Sequence, residues 1–190
     1  MPITNDRAIE FAEWFHLSHA RETGDTPRTL YHGTNRAFEE FWRSGPFGAA
    51  RPRTTGGRLA GSRTMFFFSD KAEIAEEFAV KLTAKMTGAN VRPVHLSLQN
   101  PLIIDATDET TWKNTQMKAI EAYDQGIHDG AIILNSQDGV GATGPSSNVY
   151  IAFDAAQIMS IFDPRAVSYR HAMANNTLEM PDPKRQKDKP

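Results

Sequence analysis

Apolar residues recur along this chain with two different periods, and the changes of period divide it into elements. Ile9, Phe11, Ala12, Trp14, Phe15 and Leu17 share one side of a helix, and Asn5 or Asp6 can cap it, which predicts an amphipathic helix over Asp6–Ala20. Thr23–Pro27 is a turn cluster. Arg28–His32 reads as a short strand and Ala37–Trp42 as a second. The run Met65-Phe66-Phe67-Phe68 predicts a buried strand. Asp70 and Glu73 then form the pattern of a capping box, opening a helix that carries Ile74, Phe78 and Leu82 and stops at Gly88. Val91–Leu98 turns Val94, Leu96 and Leu98 to one side, with Pro93 marking an edge or a bulge. Pro101–Asp105 is extended. A helix over about Thr110–Gln125 carries Trp112, Met117, Ile120 and Tyr123 and ends at Gly126. Ala131–Leu134, Val149–Phe153 and Gln157–Phe162 read as three closing strands. Strands with two interspersed helices and a strand-rich end predict an α+β fold rather than a doubly wound sheet.

Length changes the picture only by setting the domain count: 190 residues suffice for one domain with a proper core. The division read here is a helix and linker over 1–27, one domain over 28–167, and a polar tail over 168–190. Pro181–Pro190 is rich in proline and charge and is expected to be disordered. A net charge of −2 names no partner. With no cysteine, disulfides, thiolate nucleophiles and zinc sites built on thiolates are excluded. No apolar run reaches membrane-spanning length, and Met1–Glu13 lacks the basic-then-apolar order of a signal peptide. The chain therefore reads as soluble and made without a removable export signal; the lack of cysteine fits a reducing cytoplasm and equally a cysteine-free secreted protein.

Several familiar chemistries find no support. Gly139-Val-Gly-Ala-Thr-Gly144 fits GxGxxG, but Pro145-Ser-Ser-Asn148 and a strand follow where a phosphate-binding helix would have to start, so a flexible loop is the better reading. The six histidines show neither HExxH spacing nor tight carboxylate pairing, so no metal is implied, and no GxSxG elbow supports a serine nucleophile. Leu30-Tyr31-His32-Gly33-Thr34, taken alone, is a strand end whose histidine makes a structural hydrogen bond. Two later blocks change that reading: Phe66-Phe67-Phe68-Ser69-Asp70, followed by a helix with Ala75 and Phe78, and Val149-Tyr-Ile-Ala-Phe-Asp-Ala-Ala-Gln157-Ile.

In that order the three blocks resemble the ADP-ribosyltransferase superfamily, in the histidine-first branch that includes poly(ADP-ribose) polymerases and the transferase domains of phage polyvalent proteins. The resemblance covers about Leu30–Phe162. Gln99-Asn-Pro-Leu-Ile-Ile-Asp105 and Gly126-Ile-His-Asp-Gly-Ala-Ile-Ile133 are also similar to the phage-type domains. It implies a single-domain α+β fold with a split, mostly antiparallel sheet and flanking helices, and NAD as substrate without a metal. It assigns His32 to the adenosine ribose of NAD and the Gly33 backbone to the nicotinamide amide, with Thr34 and Ser69 beside them in the cofactor-binding set. Phe67 and Phe78 fall where the family sandwiches the nicotinamide ring between two tyrosines; both keep an aromatic face and lose the hydroxyl. Ala75 falls where the family has a small hydroxyl residue.

The catalytic glutamate of the family falls on Val149, which the reading sets at the mouth of its strand. Valine can neither stabilise an oxocarbenium-like state nor activate an acceptor. Some mono-ADP-ribosyltransferases of this branch also have an aliphatic residue there, so the implied activity is transfer of single units, with Asn148, Gln137 or Asp138 as other sources of a polar group. Arg43–Arg63 holds five arginines and no acid in the place of the loop that covers NAD. Those guanidinium groups suit the pyrophosphate or a nucleic acid. The expected function is a mono-ADP-ribosyltransferase acting on a protein, as a phage or bacterial effector in a cell's cytoplasm. The alternatives are a degenerate module that binds NAD or ADP-ribose, and a transferase directed at nucleic acid.

Overall fold

A computed structural model describes residues 5–23, 26–34, 41, 65–81, 88–109, 112–137 and 146–178. Among them run α1 (Asn5–Phe15), β1 (Leu30–Thr34), β2 (Phe66–Ser69), α2 (Ala72–Lys81), β3 (Asn90–Leu96), β4 (Pro101–Asp105), α3 (Trp112–Gln125), β5 (Gly130–Ser136), β6 (Ser147–Ala152), a short 3-10 turn (Ala155–Gln157), β7 (Ile158–Ser160) and α4 (Pro164–Ala174). The expected Ala37–Trp42 strand, apart from Phe41, and the loop Arg43–Arg63 lie outside the described residues, as does the tail beyond 178.

The strands form one seven-stranded sheet in the order β4-β5-β6-β2-β1-β3-β7. Only β4 and β5 run parallel, because α3 carries the chain from one to the other; every other pair is antiparallel. Pairing is unequal. β1 holds β3 through five registered pairs and β2 holds β6 through four, while β1 and β2 share only Tyr31↔Ser69. The sheet is thus two halves, β4-β5-β6-β2 and β1-β3-β7, joined at one residue pair. This is the split α+β architecture expected from the sequence.

Alternation along the strands sorts the side chains into two faces. Leu30, Phe68, Val94, Leu96, Leu98, Ile132, Tyr150 and Ala152 form one apolar cluster drawn from both halves. The opposite face of the first half carries Ala131, Ile133, Val149 and Ile151 against Ala119 and Ala122 of α3. Beside β7, Phe11 and Phe15 of α1 pack on Met159 and on Ala166 of α4, and the Phe11 and Tyr169 rings lie 4.7 Å apart.

Two differences from the expected elements have physical causes. The first helix stops at Phe15 instead of Ala20, since Leu17 takes a left-handed φ of 63°. That turn drops Ser18 into the core, where its Oγ donates to Leu96 O at 2.7 Å and accepts the N–H groups of Ala20 and Leu98. The polar segment expected from Ser168 is helical through Ala174. Pro164 starts that helix, the Asp163 side chain caps it, and Ala166, Ser168 and Ala172 give it a small buried stripe against α1. So narrow a stripe carries almost no apolar signal along the sequence.

Candidate functional site

The seam between β1 and β2 is where the sequence motifs meet. Beyond Tyr31↔Ser69 the ladder stops, and His32 bridges the gap with its Nδ1 2.8 Å from Phe67 O. A carbonyl oxygen only accepts, so Nδ1 carries the proton, and in the neutral ring Nε2 is the basic nitrogen. The imidazole packs with the rings of Phe41, at 5.2 Å, and Phe68, at 5.5 Å, which also touch each other at 5.7 Å, so the three form a cluster. Burial pushes its pKa below the usual value; the bond to Phe67 opposes that shift, and the Arg92 charge adds to it.

Gly33 sits where α2 crosses β1. A Cβ placed on it would lie 1.8 Å from Ala75 O and 3.1 Å from Ala79 N, so the helix backbone rests directly on the strand. Ala75 and Ala79, one turn apart on α2, are 2% and 1% exposed. Glycine is therefore required here by close packing, independently of the nicotinamide contact that the resemblance assigns to it. Phe78 follows Ala75 by three residues on the same helix and is half-buried.

Registered partners share a face. Tyr31↔Ser69 and Ser69↔Val149 therefore put Gly33, Phe67, Ser69 and Val149 on the face that α2 and α3 cover. His32 faces the other way, with Phe68 and Tyr150. Phe67 packs on the cluster of Ile133, Val149 and Ile151, which makes it partly a core residue. Ser69 Oγ accepts the Lys71 N–H at 3.1 Å, turning the chain into α2. Thr34, half-buried, ends β1 opposite Asn90.

The structure gives Val149 and Asn148 different surroundings from those expected. The strand begins at Ser147, so Val149 lies inside it rather than at its mouth, 2% exposed and paired with both Ser69 and Ile133. Asn148 points to the opposite face, and its carboxamide is held at both ends. Nδ2 donates to Asp70 Oδ2 at 2.8 Å, Oδ1 accepts the Asn135 N–H at 3.1 Å, and the Asn148 N–H donates to Asp70 Oδ1 at 3.0 Å. Asp70 thus anchors the start of β6, where the sequence pattern made it a helix cap. Its other neighbour is Arg28, with Nη1 3.7 Å away. Gln137 is exposed at the end of β5, and Asp138 lies outside the described residues.

Three residues around the seam escaped the sequence reading. Asp70 carried a helix-start pattern that masked its role. Arg92 is a single arginine in a strand, across from His32 in register. Ser147, two residues before Val149 and on its face, has a buried Oγ with no hydrogen-bond partner among the described residues. Only tertiary pairing singles these out. A cavity of about 410 Å³ lies elsewhere, between α3 and the edge strand β4, lined by Leu102, Ile104, Asp105, Lys118, Glu121 and His128. None of the residues that the resemblance assigns to NAD lines it, although Leu102, Ile104, Asp105 and His128 belong to the two stretches similar to the phage-type domains.

Against known families, residues 22–167 match the model described as ADP-ribosyltransferase in polyvalent proteins. No curated protein and no solved structure gives a significant match.

Proposed function

The chain belongs to the family of ADP-ribosyltransferases found in polyvalent proteins, whose domains use NAD as substrate, and from that premise we propose that it transfers single ADP-ribose units to a protein acceptor. The observation that carries the reading is the sharing of one seam by the motif residues. Gly33, Phe67 and Ala75 lie on one side of it, with Phe78 half-buried one helical turn beyond Ala75, and the imidazole of His32 faces the other side. In the reaction the bond between nicotinamide and the ribose carbon breaks, and its electron pair leaves with neutral nicotinamide. An acceptor carboxylate, already ionised near neutral pH, supplies the pair that forms the new ester bond. The chain's share is orientation: His32 on the adenosine ribose, the Gly33 backbone on the amide, and the rings of Phe67 and Phe78 on the nicotinamide. Chain elongation needs a base beside a ribose hydroxyl, and Val149 offers none.

One observation favours a second reading, a module that holds NAD or ADP-ribose without turnover. Val149 is closed into an apolar cluster, and Asn148, the polar group next to it, is held by Asp70 and Asn135. The two readings separate on incubation with labelled NAD and a cell lysate. Transfer predicts label on protein as single ADP-ribose units, with release of nicotinamide, both abolished by His32→Ala in a protein that still melts cooperatively. Binding without nicotinamide release decides for the module, and ladders of ADP-ribose refute the single-unit claim.

A further inference from the structure

We infer that Arg92 is the guanidinium that meets the phosphate charge of the dinucleotide, forming with His32 one anion-and-ribose corner on β1 and β3. This rests on the reading of the seam as an NAD site and adds to it a residue outside the motif blocks.

The corner follows from the register. His32↔Arg92 is one of five β1–β3 pairs, and Arg92 is the only charged residue in those pairs apart from the histidine itself; its neighbours are Leu30↔Val94, Tyr31↔Pro93, Gly33↔Val91 and Thr34↔Asn90. Directly opposed residues point to the same face with Cβ atoms about 4.5–5.5 Å apart. Arg92 is half-buried on β3, and the five-pair ladder to β1 fixes its backbone, whereas β7 pairs with β3 only from Val94 to Leu96. Binding through it orders fewer groups than binding through a long loop, at a lower entropic cost.

The chemistry of the two side chains is complementary. The Arg92 charge helps keep the imidazole neutral, and Phe67 O holds the proton on Nδ1. The corner therefore presents a cation beside a neutral hydrogen-bonding ring instead of two repelling cations. A phosphorylated ribose has the matching pattern, a hydroxyl and an anion on one sugar. In NAD the adenosine ribose carries the pyrophosphate on its 5′ carbon, so a ribose held by His32 brings that anion to the neighbouring position. Guanidinium is the side chain best shaped to take it, through paired N–H groups.

The test uses calorimetry on wild type, Arg92→Met and Arg92→Lys with NAD, ADP-ribose and adenosine, alongside melting curves and an NMR titration of His32. Arg92→Met should lose about ten- to a hundredfold in affinity for NAD and ADP-ribose, the range expected for a charged hydrogen-bond pair, and nothing for adenosine, which has no phosphate. Arg92→Lys should recover part of the loss and keep the fold. Without any ligand, the His32 pKa should rise in Arg92→Met and stay near wild type in Arg92→Lys. Equal losses for adenosine and ADP-ribose, or unchanged NAD affinity in a wild type that binds NAD, would overturn this inference alone. A His32 pKa unmoved in Arg92→Met breaks the corner itself. A wild type that binds neither nucleotide overturns the inference together with the NAD reading beneath it.

Discussion

Strand β2 meets β6 through four registered pairs, Phe66 to Ser69, and meets β1 on its other side through Ser69 alone. On the β6 side the backbone does the work: the ladder aligns Phe67 with Ile151 and Ser69 with Val149, and the apolar side chains close over it. On the β1 side the ladder ends, and backbone groups beyond it need partners of another kind. Phe67 O finds a side chain, His32 Nδ1, and at Gly33 the backbone of α2 packs directly on the strand. His32 and Gly33, which the resemblance assigns to NAD, sit on the second side, and Val149, which it aligns with the family's glutamate, sits on the first. A closed seam is specified by alternation and tolerates apolar exchange. An open seam depends on particular residues, because no ladder fixes its geometry.

The largest expected effect tests whether Val149 belongs to the closed side. Val149→Glu would bury a carboxylate among Ile133, Ile151 and Phe67, at a cost of about 3–5 kcal/mol at neutral pH. Burial raises the folded-state pKa of that carboxyl above its unfolded value. The penalty is therefore absent below the unfolded pKa and grows as pH rises towards the folded one. Urea unfolding at pH 7.5 and pH 5 should show the gap between mutant and wild type shrinking at the lower pH. A mutant as stable as wild type that cleaves NAD faster would put position 149 in the cleft, and the comparison of the two seams would fail.

Next in size is Gly33→Ala, which strikes the open side. The new methyl would lie 1.8 Å from Ala75 O, so α2 must move off β1. Overpacking of this kind costs about 1–3 kcal/mol or somewhat more, and a backbone obstacle belongs at the upper end. Gly126→Ala is the control. Gly126 has a φ of 65° and nothing within 4 Å, so only the backbone penalty of about 1 kcal/mol applies. Melting curves decide. Equal losses at the two glycines would mean that α2 is not seated on Gly33.

The same contrast explains what could be read in advance. Alternating and continuous apolar runs such as Met65–Phe68 and Val91–Leu98 give strands directly, and the resemblance to the family rests on three blocks in order: Leu30–Thr34, Phe66–Asp70 with the helix after it, and the block from Val149. Helix α4 was lost because its buried face is made of Ala166, Ser168 and Ala172, which look like a polar segment. Asp70 was legible as a helix cap and serves instead to hold Asn148, 78 residues away in sequence. Arg92 has no signature until β1 and β3 are in register. Local periodicity shows which residues are buried; it carries no information on which strand lies next to which.

A smaller effect comes from pH. Burial is the main cause that lowers the pKa of both His32 and His95; hydrogen bonds to Phe67 O and Arg28 O pull back, and Arg92 and Arg170 add to the lowering. Each ring binds its proton less readily folded than unfolded. Their contribution is thus fully present above the unfolded pKa of about 6.5, and it falls as pH drops from there towards the folded values. Stability should be flat near pH 8 and decline below about pH 6.5 by at most roughly 1.4 kcal/mol per pH unit for each histidine. His95→Gln should remove part of that slope and leave the seam intact. An unchanged slope would mean that the acid sensitivity lies with His32 or elsewhere.

The smallest effect has the opposite sign. Ser147 lies on the Val149 face of β6, 2% exposed, with a hydroxyl that meets no hydrogen-bond partner among the described residues. A buried hydroxyl in that state costs about 1–3 kcal/mol relative to a paired one, and removing it relieves part of the cost. Ser147→Ala also keeps the Cβ, so the ladder to Ser136 is undisturbed. The weaker van der Waals packing around one missing oxygen offsets some of that relief. The expected gain is about 0.5–1 kcal/mol, visible as a small rise in Tm. If stability falls instead, the hydroxyl is paired in the free protein and the closed side is more polar than its apolar lining suggests. If stability rises while NAD affinity falls, Ser147 holds its hydroxyl ready for a ligand, and the open side of the sheet extends one strand further than the β1–β2 seam.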